Sequence, residues 1–101
     1  MESRSERQEA CLRLYLAGEM TIYSAAELKP ALLDAMGQSE EIEIDLAGVG
    51  EMDTSGVQLL MLLKREAAAA GKTLRLAGHS PAVLEGFELL GLGNWFGDPQ
   101  L

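Results

Sequence analysis

The stretch "EEIEIDLAGVGEMDTSGVQLLMLLKREAAAAG", residues 40–71, changes its hydrophobic period half-way along. Apolar and acidic residues alternate over residues 41–46, which predicts a β-strand with one buried face. From residue 55 to residue 70 the apolar residues recur with a helical spacing, and Gly71 is a typical helix terminator. The stretch therefore predicts a strand that leads directly into a helix, as in α/β folds.

Further strands and helices are predicted on both sides of this stretch. Alternating leucines predict strands in "CLRLYLAGE" (residues 11–19) and "KTLRLAG" (residues 72–78). Ser24 and Glu27 form a capping-box pattern at the start of a helix that reaches Gly37. In "SPAVLEGFELLG", residues 80–91, Ser80 is the expected N-cap, Pro81 the first helical residue and Gly91 the terminator.

The order of the elements predicts one α/β domain with a mixed sheet of about four strands and helices packed against it. An additional short strand at Thr21–Tyr23 is one option. We expect residues 1–10 to be a flexible N-terminal segment and residues 11–101 to form the domain. The acidic face of the strand at residues 41–46 indicates an edge strand or a solvent-facing strand. Trp95 and Phe96 are expected to close one end of the core.

Composition and charge exclude several classes of function. Sixteen acidic and eight basic residues give a net charge of −8, which argues against binding to nucleic acid or anionic lipid. Cys11 is the only cysteine, so no internal disulfide forms and a reducing compartment fits. The charged N-terminus lacks the apolar region of a signal peptide, and no apolar run is long enough for membrane insertion. We therefore expect a cytoplasmic protein.

The two adjacent hydroxyls of "DTSG", residues 53–56, lie where the strand ends and the helix begins. Asp53 or Thr54 can cap the helix, and capping alone can explain the motif. A phosphate on Ser55 would lie beside the positive end of the helix, in a neighbourhood that already holds Glu51 and Asp53. Such a site suits a switch that changes the affinity for a partner without unfolding the domain.

Catalytic and metal sites have weaker support. The motif around Ser55 lacks the first glycine of a G-x-S-x-G nucleophile elbow, and a triad would need His79, which we expect to be exposed in a loop. Asp45, Glu51 and Asp53 are possible ligands for a hard cation, but their spacing matches no known site.

The helix after Gly56 is unusually apolar, with consecutive apolar residues from 59 to 63. One face must pack on the sheet, and the rest either packs on a neighbouring helix or forms an exposed partner patch. Gln58, Leu62 and Arg65 share one flank of this helix, with Met61 beside it. We favour packing on two sides, but a partner patch here would adjoin Ser55.

Taken together, these residues resemble the STAS domain family, which includes anti-sigma factor antagonists and the cytosolic tails of sulphate transporters. The resemblance covers roughly residues 11–97 and rests on "IEIDLAGVGEMDTSGVQLLMLLKREAAAAGKTLRLAG" followed by "SPAVLEGFELLGL". The order of the elements and the D-[ST]-S-G motif at the helix start agree with the family together. The resemblance implies a single STAS-like domain.

In anti-sigma factor antagonists, the serine before the glycine is phosphorylated by a partner that is both anti-sigma factor and serine kinase, and phosphorylation abolishes binding. The resemblance implies that Ser55 is the phosphoacceptor, with Asp53 and Thr54 beside it at the docking surface and Thr54 as the helix cap. It also implies that Gly56 allows close approach of the partner's backbone. The kinase holds the ATP, so the chain itself is expected to be neither an enzyme nor a cofactor-binding protein.

Two alternatives stay open within the family. Thr54 also matches the threonine of STAS subunits that regulate bacterial lipid-transport ATPases by binding the nucleotide-hydrolysing subunit. Other members serve chemosensory or two-component pathways. Ser55 favours the phosphorylation switch, although fold-level similarity alone does not choose among these functions.

Overall fold

Strands and helices alternate along most of the chain. The computed structural model describes residues 2–8 and 11–89. In chain order the elements are β1 (Glu2–Gln8), β2 (Cys11–Met20), α1 (Ile22–Met36), β3 (Glu41–Met52), α2 (Thr54–Ala69), β4 (Thr73–Ala77) and α3 (Pro81–Leu89). The predictions for Gly91, Trp95 and Phe96 fall outside the described residues. In the described ranges, no helix is both long and apolar enough to cross a membrane.

The four strands form one mixed sheet in the order β1-β2-β3-β4, which confirms the predicted fold class. β1 runs antiparallel to β2, whereas β2, β3 and β4 are parallel to one another. Parallel neighbours require a crossover connection, and α1 and α2 provide the two crossovers. The carboxyl ends of β2 and β3 therefore lie at the same edge of the sheet, and α1 and α2 both begin there.

The N-terminal segment differs from the expectation of a flexible segment outside the domain. Glu2–Gln8 pairs with β2 along its whole length, with Glu2 opposite Ala17 and Gln8 opposite Cys11. β1 is an edge strand, and its described side chains, at residues 2–7, are all exposed. Because no side chain of this strand has to be buried, its sequence shows none of the apolar alternation by which strands are recognised.

The start of α1 also differs from the prediction. The optional strand at Thr21–Tyr23 is wrong, since Thr21 is the N-cap of α1 and Ile22 is its first residue. The capping box lies three residues earlier than predicted, with Ser24 in the position assigned to Glu27. The Thr21 N–H donates to Ser24 Oγ at 2.8 Å. Both registers place a polar pair three residues apart, so spacing alone could not separate them.

The core lies between the three helices and one face of the sheet. Alternate residues of β2, β3 and β4 are buried there, and the residues between them are half-buried or exposed. The side chains in the core that are less than 2% exposed include Leu16, Met20, Ile42, Ile44, Leu46, Val49, Val57, Leu60, Leu63, Leu76, Val83 and Phe87.

The other face of the sheet is open to solvent and charged. β3 is an interior strand, so its acidic face is the solvent-facing one of the two predicted possibilities. Glu41 is exposed, and Glu43 and Asp45 are half-buried. Arg13 Nε donates to Glu43 Oε2 at 2.6 Å across the β2–β3 pair. Hydrogen bonds with Tyr15 and Glu43, together with the charge of Glu43, raise the pKa of Arg13.

Candidate functional site

Asp53 joins the starts of two helices. It is the N-cap of α2, where its Oδ1 accepts from the Gly56 N–H at 3.2 Å. Its Oδ2 accepts from the N–H of Ile22, the first residue of α1, at 3.1 Å. Its own N–H donates to the Met20 carbonyl at the end of β2, also at 3.1 Å. Both oxygens of the carboxylate are thus engaged, and α1 and α2 begin side by side.

The cap of α2 is Asp53, so the assignment of this role to Thr54 is wrong. The physical reason is that a carboxylate has two acceptor oxygens and can serve two helix starts at once, whereas a threonine hydroxyl has a single oxygen. Thr54 is instead the first residue of α2 and is exposed.

Ser55, the second residue of α2, is half-buried. Asp53 already accepts from the first-turn N–H that an N-cap side chain ordinarily serves, so the helix does not need the Ser55 hydroxyl as a cap. The two neighbouring residues therefore have different surroundings, because Thr54 is exposed to solvent and Ser55 is half-buried beside residues of α1.

A shallow groove of about 210 Å³ lies between α1 and α2 beside Ser55. We call it the α1–α2 groove, and its lining residues are Ala25, Ala26, Lys29, Ser55, Gln58, Leu59 and Leu62. Most of this lining is apolar, and Lys29 is the one charged side chain among the seven. The groove thus combines an apolar floor with a single cation and a serine hydroxyl.

The predicted partner residues further along α2 lie on both sides of its outer surface. Gln58 is exposed, and Met61 and Leu62 are half-buried at the margin of the core. Successive helical residues are about 100° apart, so Leu62 lies on the groove side of Gln58 and Met61 on its other side. The rest of the apolar run packs inward, with Leu59, Leu60 and Leu63 buried. The prediction that α2 packs on two sides is therefore correct.

Gly56 has an internal role. It is buried, and a Cβ atom at this position would lie 2.7 Å from the Met20 carbonyl oxygen and 3.0 Å from Met20 Cβ. The backbone that approaches Gly56 is thus the chain's own, at the end of β2. This corrects the expectation that Gly56 makes room for a partner's backbone.

Two exposed apolar side chains at the start of α1 were missed in the sequence. Ile22 is 60% exposed and Tyr23 is 86% exposed, and the Ile22 N–H is bound to Asp53. The optional short strand at Thr21–Tyr23 and the predicted capping box at Ser24 both place Ile22 and Tyr23 before the helix, whereas they are its first two residues. An apolar pair directly after a capping threonine was the signal that could have revealed it.

His79, the histidine that a catalytic triad would need, was expected to be exposed in a loop, and this expectation is wrong. His79 is 6% exposed, and its ring packs edge-on against Phe87 of α3 with the centroids 5.7 Å apart. The loop between β4 and α3 is only three residues long, residues 78–80, so His79 lies directly before the start of α3. The imidazole therefore forms part of the packing beneath α3.

The carboxylates considered as cation ligands are spread along β3 and beyond its end. Asp45 Oδ1 accepts from the Ala47 N–H at 2.9 Å, Glu51 is exposed, and Asp53 caps α2. Within residues 2–8 and 11–89, no group of three or more His, Cys, Asp and Glu side chains is arranged to hold a metal ion.

Comparison with known proteins identifies the family. Residues 3–98 match the family model described as "Mlab, STAS domain". The chain belongs to the STAS domain family. The match begins within β1, so the STAS domain includes the strand that the sequence analysis placed outside it.

Two relatives carry regulatory names. This STAS domain is 33% identical over 95 residues to the anti-sigma F factor antagonist of Lysinibacillus sphaericus, which corresponds to 91% of this chain and 79% of that protein. It is 26% identical over 87 residues to the anti-sigma-B factor antagonist of Bacillus subtilis (strain 168), which corresponds to 86% and 80% of the two chains.

The fold of this STAS domain is similar to that of the anti-sigma factor antagonist SpoIIAA in its unphosphorylated form. The TM-score is 0.76 at 24% sequence identity, and the comparison covers 98% of this chain and 89% of SpoIIAA. The similarity confirms that the four-stranded sheet and its helices form a STAS-like fold.

Proposed function

We propose that this chain is a regulatory binding module of the anti-sigma factor antagonist type. Its partner is an anti-sigma factor that is also a serine kinase, or a related signalling protein, and phosphorylation of Ser55 switches the binding off. The observation that carries the proposal is the position of Ser55, which is half-buried at the start of α2 while Asp53 performs the capping. The names of the two relatives support the class of partner.

The docking surface in this proposal is the outer side of α2 as far as Leu62, together with its N-cap. It consists of Asp53, Thr54, Ser55, Gln58, Met61 and Leu62, all of which are exposed or half-buried. Gly56 supports this surface from within by letting α2 approach the end of β2. Ile22 and Tyr23 extend it, because Asp53 holds the start of α1 beside the start of α2.

Phosphorylation acts on this surface through charge and size. A phosphate adds roughly 1.5 to 2 negative charges next to Asp53 and places three oxygens at the edge of the α1–α2 groove. A partner that fits the neutral serine and the apolar floor of the groove then meets a bulky anion instead. The fold is unaffected because the Ser55 hydroxyl is not the cap of α2.

The partner supplies the catalysis in this proposal. The kinase binds ATP and transfers the phosphoryl group, and this chain contributes only the acceptor hydroxyl. The chain therefore needs no cofactor. A kinase that uses cellular ATP also implies a cytoplasmic location for both proteins.

The direct test is to map the phosphate. The chain is incubated with ATP and the serine-kinase anti-sigma factors of its own organism, and its intact mass and peptides are measured by mass spectrometry. We expect one added phosphate on Ser55, which is lost in Ser55→Ala and retained in the neighbouring control Thr54→Val. Phosphate on Thr54, or no phosphate with any of these kinases, would overturn the proposal.

A second candidate function is a constitutive regulatory subunit of a lipid-transport ATPase. The exposed Thr54 favours it, because its side chain is the more accessible of the two hydroxyl-bearing side chains. In that case the chain would co-purify with a membrane ATPase, Thr54→Val would weaken the complex and Ser55→Ala would leave it intact. The opposite pattern of sensitivity would rule this candidate out.

A further inference from the structure

We propose that Lys29 is the counter-ion of phosphorylated Ser55. In this arrangement the Lys29 ammonium pairs with the phosphoryl group across the α1–α2 groove, so that the modification closes the groove with an internal ion pair. The inference rests on the proposed phosphorylation of Ser55 and deepens it, since it assigns a residue of a different helix to the modified state.

The first step concerns the backbone donors near Ser55. The N–H groups of a helix start ordinarily attract anions. At this site the Ile22 and Gly56 N–H groups already donate to the two oxygens of Asp53. A phosphate on Ser55 would have to displace the Asp53 carboxylate, which also repels it, to use these donors. A phosphate on Ser55 therefore gains little from these two donors, and a cation outside the cap would stabilise it further.

The second step concerns the charges around the groove. Lys29 is the one charged residue among the seven that line it, and no carboxylate is among them. Exposed acids lie beyond the helix starts instead, at Glu19, Glu51 and Asp53. Because phosphate oxygens next to these acids are disfavoured, the groove side of Ser55 offers the more favourable electrostatic environment.

The third step concerns reach. α1 and α2 begin side by side, and Lys29 follows Ile22 by seven residues, or about 10 Å along the helix axis. Side chains of a helix lean toward its N-terminus, and the lysine ammonium is carried on a flexible four-carbon stem. The Lys29 side chain, which lines the same groove as Ser55, is therefore long enough to reach toward the end where Ser55 lies.

The pair has a consequence for binding. It would lie over an apolar floor formed by Ala25, Ala26, Leu59 and Leu62. Fully exposed ion pairs contribute little stabilising free energy, but the attraction within a pair that lies on apolar side chains is less screened by water. In the unmodified state the groove is open to a partner's side chain. In the phosphorylated state the Lys29 ammonium and the Ser55 phosphate occupy it instead.

The test uses a chain in which phosphoserine is incorporated at position 55 during synthesis, so no kinase is needed. The second pKa of the phosphate, ordinarily about 6, is measured by phosphorus NMR titration. A nearby cation favours the dianion and lowers this pKa, so we expect Lys29→Gln to raise it by about half a unit. Lys29→Arg retains the charge and is expected to keep the lower value.

The matched control is Arg65→Gln, which removes another exposed cation, on α2. Arg65 follows Ser55 by ten residues, or about 15 Å along the axis, beyond the screening length of about 8 Å at physiological salt. We expect no change in the phosphate pKa. The inference is overturned if Lys29→Gln leaves the pKa unchanged, or if Arg65→Gln raises it equally.

The result separates this inference from the proposed function. If no kinase modifies Ser55 but Lys29→Gln raises the phosphate pKa, the proposed function fails and the ion pair stands. If a kinase modifies Ser55 but Lys29→Gln leaves the phosphate pKa unchanged, the proposed function stands and only the ion pair is ruled out. Lys29 is exposed, so Lys29→Gln is expected to fold normally, and circular dichroism of the unmodified variant checks this.

Discussion

The helices α2 and α3 of this STAS domain each begin near a serine, Ser55 and Ser80, and these two serines have different roles. Ser80 precedes α3, is 6% exposed, and its Oγ accepts from the Val83 N–H at 3.3 Å. Ser55 lies within the first turn of α2, is half-buried and lines the α1–α2 groove. The difference arises because α2 is capped by Asp53.

The comparison shows how a structural serine differs from one that is available for modification. A capping hydroxyl is buried and bound to the backbone, so modifying it would cost the helix its cap. Where a carboxylate caps the helix, the neighbouring serine is not needed as a cap. The following variants change residues of α2 or α3, so that the two helices can be compared.

The largest effect is expected from the glycines of the two helices. In Gly56→Ala the added Cβ would lie 2.7 Å from the Met20 carbonyl oxygen, a backbone atom that cannot move freely. We expect a loss of about 1 to 3 kcal/mol in the free energy of unfolding, as in other overpacked cores. Urea denaturation followed by circular dichroism measures it.

Gly86→Ala in α3 is the matched variant. Its nearest contact would be Met52 at 3.5 Å, an ordinary van der Waals distance. Alanine is the better helix former, so we expect a gain of about 0.5 to 1 kcal/mol. Equal effects of the two substitutions would contradict the close approach of α2 to β2.

A smaller loss is expected for Asp53→Ala. It removes the acceptors of both the Ile22 and Gly56 N–H groups and so affects the starts of α1 and α2 together. We expect the free energy of unfolding to fall by about 1 to 2 kcal/mol, the upper part of the range for lost caps. Hydrogen exchange of the first turns, followed by NMR, should accelerate in both helices. Acceleration in α2 alone would show that Asp53 does not join them.

The smallest effects concern the serines themselves. Ser80→Ala removes the acceptor of the Val83 N–H, and we expect a loss of about 1 kcal/mol. Ser55→Ala removes no cap, so we expect a change within about 0.5 kcal/mol. The two variants are compared by urea denaturation under identical conditions. A loss for Ser55→Ala as large as that for Ser80→Ala would make Ser55 a structural residue.

The β3–α2 region could be predicted from the sequence because its signals are local. The two-residue period predicted the strand over residues 41–46, although β3 continues to Met52. The helical period that follows predicted α2, and Gly71 marked its end to within two residues. Ser80 was likewise identified as the cap of α3 from the serine–proline pair. In each case the residues that determine the structure are neighbours in the chain.

The features that were missed depend on contacts between distant segments. β1 is held by backbone pairing to β2 and needs no apolar pattern of its own. Asp53 rather than Thr54 caps α2 in the structure, because its second carboxylate oxygen also binds a second helix start, at Ile22. His79 is buried only because α3 folds over it, and Lys29 enters the groove only because α1 lies beside α2.

The central claim is that phosphorylation of Ser55 prevents the partner from binding. The direct measurement is the affinity of the serine-kinase partner for two forms of this chain, one unmodified and one carrying phosphoserine at position 55, determined by isothermal titration calorimetry. We predict that the phosphorylated chain binds at least about tenfold more weakly, or about 1.4 kcal/mol. Equal affinity of the two forms would contradict the switch.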